Sequence, residues 1–185
     1  ENDPLYQGRE YQKRWIEEVK AACDAHGLAV ANLYSGHGTY STLGLAHTEA
    51  DVAERMLESW LKPQAETAGA LGAGFGFFTH AFPLSVISDR KRFLGAREAL
   101  VERLGRLAAY AAKSMSEPIG VEQMYTPHQI PWTIKDGATL LREVVDSSKG
   151  APIYLTLDVG HASGQHRFQK PDAATFASAV ELIRE

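Results

Sequence analysis

Two carboxylates and a histidine lie where two predicted strands end, and these residue types can bind a metal ion and move a proton. Glu122 lies within the apolar run 119–125, and Asp158 and His161 follow the run 153–157. Oxygen and imidazole donors from different strands suit Mg²⁺, Mn²⁺, Co²⁺ or Zn²⁺. Each acid alone would also fit a helix N-cap or a salt bridge, but two acids on two apolar strands favour a shared metal site.

Further histidines and one tryptophan lie where they could contact a substrate. His37 lies between two glycines after the first predicted strand, and His80 follows the second. His128 and Trp132 lie in a loop that two prolines stiffen, where the indole could form a wall of a sugar site or equally anchor the loop. We expect these four residues to bind substrate, whereas His47 has the position of a surface residue at a helix boundary.

Alternating helical and strand patterns position these groups. A helix over about 8–25 precedes four strand–helix units, whose strands start near residues 28, 75, 119 and 153. Strict alternation predicts an α/β protein with a parallel sheet, in which functional groups emerge at the carboxyl ends of the strands. The order fits an open doubly wound sheet or part of a (β/α)8 barrel. A barrel explains the groups better, because it turns all the strand ends toward one axis.

Two local predictions accompany this order. Thr48 and Asp51 have the spacing of a capping box at the start of the second helix. The run 153–157 shows little alternation of apolar and polar residues, which is typical of a parallel strand that helices cover on both faces.

The composition narrows the classes of partner. The chain has 185 residues, of which 44% are hydrophobic and 23% are charged, and its formal net charge is −4. The acidic net charge and the lack of a dense Lys/Arg stripe argue against nucleic-acid binding. No apolar run approaches the roughly 18 residues that a transmembrane helix needs. Cys23 is the single cysteine, so the chain forms no internal disulfide and fits a cytoplasmic protein. We therefore expect a small-molecule substrate.

Familiar nucleotide and hydrolase motifs are missing from the sequence. The glycines of 72–76 precede or enter a strand, whereas a dinucleotide fingerprint follows a strand and opens a helix. The sequence also contains neither a Walker phosphate loop nor a Gly-x-Ser-x-Gly elbow. Nicotinamide and nucleoside-triphosphate chemistry are thus disfavoured.

The segments 120–123 (Gly-Val-Glu-Gln) and 157–161 (Leu-Asp-Val-Gly-His) resemble motifs of the xylose-isomerase-like TIM barrel superfamily, which includes sugar isomerases, sugar-phosphate epimerases and endonuclease-IV-type enzymes. The stretch 122–132 is similar to that of tetrulose (erythrulose) phosphate epimerases and isomerases. The resemblance covers nearly the whole chain. It implies one domain over residues 1–185, an incomplete (β/α)8 barrel from about helix 1 to helix 5.

The resemblance also implies roles for individual residues. Glu122 and Asp158 match metal ligands of the family, and His161 matches its substrate-contacting histidine. The remaining metal ligands of the family are expected beyond residue 185, where the C-terminal strands of the barrel would also lie.

The function implied by this resemblance is that of a divalent-metal-dependent sugar phosphate epimerase or isomerase, with Mn²⁺ as the expected metal. A proton beside a ketose carbonyl is weakly acidic, so such an enzyme stabilises the enediolate with a Lewis acid. Glu122 would exchange the proton, and His161 would polarise or position a substrate oxygen. The expected substrate is a small ketose or tetrulose phosphate, and the expected assembly is a homodimer or homotetramer.

Two alternatives stay open at this point. An endonuclease-IV-like metal-dependent hydrolase shares the scaffold but needs a basic surface that faces DNA, which the acidic balance disfavours. An inosose-dehydratase-like or non-catalytic sugar-binding relative would keep the barrel while its chemistry is redirected or lost. Metal content and reaction products distinguish these alternatives.

Overall fold

The computed structural model describes residues 4–35 and 44–164, in which helices and strands alternate as the sequence predicts. A π-helical segment, Leu57–Leu61, joins two α-helices into one continuous helical stretch. None of the described helices combines the length and the apolar character needed to cross a membrane. In chain order the elements are α1 (Pro4–His26), β1 (Asn32–Ser35), α2 (Ala50–Met56), α3 (Lys62–Leu71), β2 (Gly74–Phe77), α4 (Leu84–Ile87), α5 (Arg90–Ala111), β3 (Ile119–Gln123), α6 (Ile134–Ser147), β4 (Ile153–Leu157) and α7 (Val159–Gly164).

The four strands form one parallel sheet in the order β1-β2-β3-β4. Phe75 pairs with Ile119, and Ile119 pairs with Ile153, so the register runs straight across the sheet. A doubly wound sheet reverses its strand order, whereas the wall of a barrel keeps it sequential. The predicted α/β fold is therefore confirmed, and the described strands have the order of a barrel wall.

The apolar core lies between the sheet and the helices α5 and α6. Phe75, Phe77, Ile119 and Val121 are each at most 2% exposed. Fully burying one such side chain contributes about 1.5–3 kcal/mol, so this layer stabilises the sheet and fixes its carboxyl edge. Their helical partners in the core are Leu100, Leu104, Leu107, Leu140 and Val144.

The opposite face of the sheet carries small and polar residues. Since side chains alternate along a strand, Gly76, Gly120 and Glu122 point away from the apolar core. A Cβ atom at Gly76 would lie 2.7 Å from the Tyr34 ring, and one at Gly120 would lie 2.4 Å from Oγ1 of Thr156. The two glycines therefore leave room for polar side chains of neighbouring strands to lie across this face.

Strand β1 and helix α2 begin differently from the prediction. Strand β1 begins at Asn32 rather than near residue 28, because residues 28–31 after α1 have no regular secondary structure and pairing with β2 starts at Asn32. The capping box of Thr48 and Asp51 does not form. The N-cap of α2 is Glu49, one residue later than that box requires, and it makes no side-chain capping hydrogen bond.

The prediction that helices cover β4 on both faces is wrong for the described residues. Tyr154, which pairs with Gly120, is 59% exposed. Strand β4 lies at the edge of the described sheet, and Tyr154 lies on the face opposite the apolar core.

Gly69 marks a close contact between α3 and the segment after α5. A Cβ atom there would lie 1.9 Å from the backbone oxygen of Ser114, whereas one at Gly95 in α5 would meet nothing within 4 Å. We expect Gly69→Ala to lower the free energy of unfolding by about 1–3 kcal/mol, because backbone cannot move aside cheaply. Gly95→Ala should raise it by about 0.5–1 kcal/mol through reduced entropy of the unfolded chain. Urea unfolding of the two variants measures both changes, and equal stabilities would contradict the contact.

Candidate metal centre

Glu122, Asp158 and His161 meet at the carboxyl edge of the sheet, where one donor atom of each lies within 4.8 Å of the others. Glu122 is the penultimate residue of β3, Asp158 directly follows β4, and His161 lies in the first turn of α7. Neighbouring parallel strands end at the same edge, which brings the three side chains together. Sequence analysis gave His161 a substrate contact, and the structure places its imidazole beside both acids.

The hydrogen bond of His161 fixes its tautomer. Nδ1 lies 2.8 Å from the backbone oxygen of Gln123. Because a carbonyl oxygen only accepts, Nδ1 carries the proton and donates it, and Nε2 of the neutral ring presents a lone pair. Nε2 lies 3.7 Å from Oδ2 of Asp158. The Tyr125 ring packs beside the imidazole, with 4.9 Å between ring centroids. Metal-binding histidines are oriented in this way, with the second nitrogen donating to the protein.

The carboxylate of Glu122 is buried and held from two sides. The side chain is 8% exposed, and Oε1 lies 3.3 Å from Nδ1 of His161. Oε2 accepts a hydrogen bond from the Tyr34 hydroxyl of β1. A buried carboxylate needs such partners to offset the loss of water around it, and the two contacts together fix its orientation.

Tyr34 is the contact of Glu122 that sequence analysis missed. Its side chain reaches across β2, and the ring lies over Gly76, where a Cβ atom would be 2.7 Å from Cε2. The available signal was the glycine inside the predicted strand 75–79, since such a glycine often marks the close approach of another group. It did not identify the residue that approaches.

Asp158 divides its two carboxylate oxygens between the backbone and the site. Oδ1 accepts hydrogen bonds from the backbone N–H groups of Gly160, at 2.7 Å, and His161, at 3.1 Å. This is the helix-capping role considered from the sequence. Oδ2 remains on the side of His161, and the side chain is 42% exposed. Capping therefore leaves one oxygen for an ion.

The donor set fits a divalent cation. Two carboxylates lie close to one imidazole, whose Nε2 lone pair faces Asp158 while its Nδ1 side faces Glu122. A cation would offset the repulsion between the two acids. One nitrogen and two oxygen donors suit Mn²⁺, Co²⁺ or Zn²⁺. Three protein donors would also leave coordination positions for substrate oxygens. The described residues could thus hold such an ion through Glu122, Asp158 and His161.

The predicted substrate-binding residues lie in different places. His80 and His128 line one cavity of about 560 Å³ together with His47, which is not the plain surface residue that the sequence suggested. Burial lowers the pKa of His80, and the facing imidazoles of His47 and His128 lower it further. Trp132 is half-buried in the loop after β3. His37 lies outside the described residues. Their roles in substrate binding stay predictions.

Comparison with known proteins gives the context of this fold. Residues 1–183 match the model of the family described as "Xylose isomerase-like TIM barrel". A protein from Rhodospirillum rubrum described as a "Putative Xylose isomerase" is 22% identical, with a TM-score of 0.80 over 94% of this chain and 58% of its own. None of the curated proteins gives a significant match.

Two epimerases have the same fold. The 3-keto-D-glucoside 4-epimerase YcjR of E. coli is 17% identical, with a TM-score of 0.62 over 89% of this chain and 59% of its own. The D-allulose 3-epimerase of Methylomonas sp. is 19% identical, with a TM-score of 0.61 over 80% of this chain and 49% of its own. This chain thus spans between 49% and 59% of the lengths of the three solved proteins. Identities this low show a common fold alone.

Proposed function

The chain belongs to the xylose isomerase-like TIM barrel family, and from this premise we propose that it is a divalent-metal-dependent isomerase or epimerase of small ketoses. The observation that carries the proposal is the cluster of Glu122, Asp158 and His161 at the carboxyl edge of the sheet. Barrel enzymes have their active sites at this edge. Two of the solved proteins with this fold are named as sugar epimerases, which supports the reaction class.

The proposed reaction removes a proton from the carbon beside a ketose carbonyl. Glu122 accepts this proton and returns it, because its carboxylate is buried next to the other two donors. The Tyr34 hydroxyl binds Oε2, so we assign the transfer to Oε1, on the side of His161. A divalent ion held by Glu122, Asp158 and His161 would supply Lewis-acid stabilisation of the negative charge that develops on the substrate oxygens.

The substrate and the metal are part of the proposal. We propose a tetrulose phosphate as the substrate and Mn²⁺ as the metal, on the basis of the likeness of residues 122–132 to tetrulose phosphate epimerases and isomerases. His80, His128 and Trp132 lie in the segments that follow β2 and β3, so they remain candidates for substrate contacts.

Deuterium exchange tests this function directly. The protein is stripped of metal, reloaded with Mn²⁺ and incubated with erythrulose phosphates and other small ketoses in D₂O, while proton NMR follows the C–H signals beside the carbonyl. We expect deuterium to enter only in the presence of metal. Incorporation at C3 would indicate epimerisation, and incorporation at C1 would indicate aldose–ketose isomerisation. Bound Mn²⁺ without exchange into any ketose would overturn the proposal, and a product lighter by one water would favour dehydration.

A further inference from the structure

Three histidines from separate segments of the chain line one cavity of about 560 Å³, which we call the histidine pocket. His47 precedes α2, His80 follows β2, and His128 lies in the loop after β3. The rings of His47 and His80 stack, with 5.9 Å between their centroids. Cavities of this size commonly bind small molecules, and convergent imidazoles would supply hydrogen bonds to a polar ligand.

The backbone holds these segments against one another. Ala46 donates a hydrogen bond to the Thr79 carbonyl at 2.9 Å, and Phe82 donates one to the His128 carbonyl at 2.7 Å. A Cβ atom at Gly44 would lie 2.6 Å from Cβ of His80, so the segment before His47 packs directly on His80. His80 has a φ of 86°, which a residue other than glycine rarely adopts. Strained backbone of this kind clusters at functional sites.

The charges around the histidine pocket favour an anion. Its described lining contains a hydroxyl, from Thr48, and no carboxylate. A second cavity of about 530 Å³ shares His47 and Thr48 and is lined by Lys91, Arg92 and Arg103. Arg103 is paired with Glu54 at 3.4 Å, and Arg92 lies 3.9 Å from Asp89, so part of this positive charge is compensated. Every ionisable side chain in the described lining of the two cavities is nevertheless basic, although the chain has a net charge of −4.

The hydrogen bonding and the surroundings of the individual imidazoles also favour an anionic ligand. Nδ1 of His47 accepts a hydrogen bond from the backbone N–H of Glu49 at 3.1 Å, so Nε2 of the neutral ring carries a proton to donate. Nδ1 of His80 is buried and has no hydrogen-bond partner among the described residues. Burial, His47 and His128 all lower the pKa of His80, because they disfavour a further positive charge. An anion in the pocket would offset this cost.

We propose that the histidine pocket binds the phosphate group of a phosphorylated ligand. His47, His80 and His128 donate hydrogen bonds to its oxygens, and the apolar rim formed by Phe82 and Leu84 contacts its carbon chain. The identification of this ligand with the substrate of the metal centre rests on the proposed function. His80 and His128 of the histidine pocket follow β2 and β3, and Glu122 and Asp158 of the metal centre lie at the carboxyl ends of β3 and β4.

NMR of the histidine ring protons tests the pocket with inorganic phosphate as the probe. We expect phosphate to shift the signals of His47, His80 and His128 and to raise the lowered pKa of His80, while the signal of the exposed His26 stays unchanged. Sulfate, another tetrahedral oxyanion, should shift the signals of the same three histidines. Weak shifts shared by every exposed histidine would mean an adventitious ion only and would overturn the proposal.

Variants distinguish phosphate binding from general damage. His128→Gln, in the loop, should weaken phosphate binding by about tenfold, since a hydrogen bond to a charged group contributes about 1.5 kcal/mol or more. His26→Gln, at the end of α1, is the matched control and should leave the affinity unchanged. An unchanged phosphate affinity in both His80→Gln and His128→Gln, or tighter binding of free erythrulose than of phosphate, would overturn the assignment.

The proposed phosphate site and the proposed reaction are tested by independent experiments. Inorganic phosphate has no carbonyl and its binding needs no metal, so the histidine shifts test the pocket alone, whereas deuterium exchange tests the reaction. If the ligand is the substrate, His128→Gln should raise KM for a tetrulose phosphate by about tenfold and leave the KM for the free ketose unchanged. Equal changes for both ketoses would overturn the link between the pocket and the substrate phosphate.

Discussion

Glu122→Gln should lower the rate of metal-dependent deuterium exchange into the ketose by about 10²- to 10⁴-fold, the usual contribution of general acid–base catalysis. Glutamine has nearly the same shape as glutamate, and its amide oxygen can still accept a hydrogen bond from Tyr34. It cannot take up a proton from carbon. The measurement is the initial exchange rate in D₂O, by proton NMR, at saturating Mn²⁺.

The same substitution also removes one negative donor from the metal centre, so the two effects must be separated. A calorimetric titration of Mn²⁺ into the variant gives the metal affinity, and exchange is then compared at equal occupancy. Glu102→Gln is the matched control, because Glu102 is an exposed residue of α5 that pairs with Arg106. Exchange by Glu122→Gln at the rate of the control would show that another group removes the proton.

Gly76→Ala should lower the exchange rate by about 10²-fold, although Gly76 contacts neither the metal donors nor the substrate in our assignment. The new methyl group would lie 2.7 Å from the Tyr34 ring, which must then move. Moving the ring withdraws the hydroxyl from Oε2 of Glu122, and a misplacement of about 1 Å in a reacting group can cost about 10²-fold in rate. Exchange kinetics of the loaded enzyme, together with Mn²⁺ affinity, measure this effect.

Tyr34→Phe provides the comparison, because it removes the hydroxyl without adding an atom to the sheet. If Tyr34 positions Glu122, both variants should lower kcat, and the double variant should be no slower than the slower single variant. Gly95→Ala, which meets nothing within 4 Å, controls for the substitution itself. A normal kcat in Tyr34→Phe would contradict the positioning role, and a slow Gly76→Ala would then reflect damage to the sheet.

The part of the site that could be predicted is the part fixed by strand order. Glu122 and Asp158 follow from two apolar runs, and the observed pairing of β3 with β4 puts their carboxyl ends side by side. That inference needs only alternation of strands and helices, a local property of the sequence. The edge of the sheet and its two acids could therefore be predicted from the sequence.

The contacts of Tyr34 and His47 could not be predicted in the same way. Tyr34 meets Glu122 across an intervening strand, so the contact depends on the register of three strands and on Gly76 between them. His47 reaches His80 because the chain after residue 43 packs against residues 79–80. Both contacts join residues more than 30 positions apart through the path of the backbone, and no local pattern encodes that path.

The double role of Asp158 couples the metal centre to local folding. One oxygen of this carboxylate caps the first turn of α7, and His161 lies in that turn. Fraying of the turn would therefore displace both Asp158 and His161, two of the three donors. We therefore expect assembly of the site and initiation of the helix to be coupled. An ion bound there would stabilise the end of β4 and the start of α7 by an amount that grows with the logarithm of its concentration relative to its Kd, as for any ligand specific for the folded state.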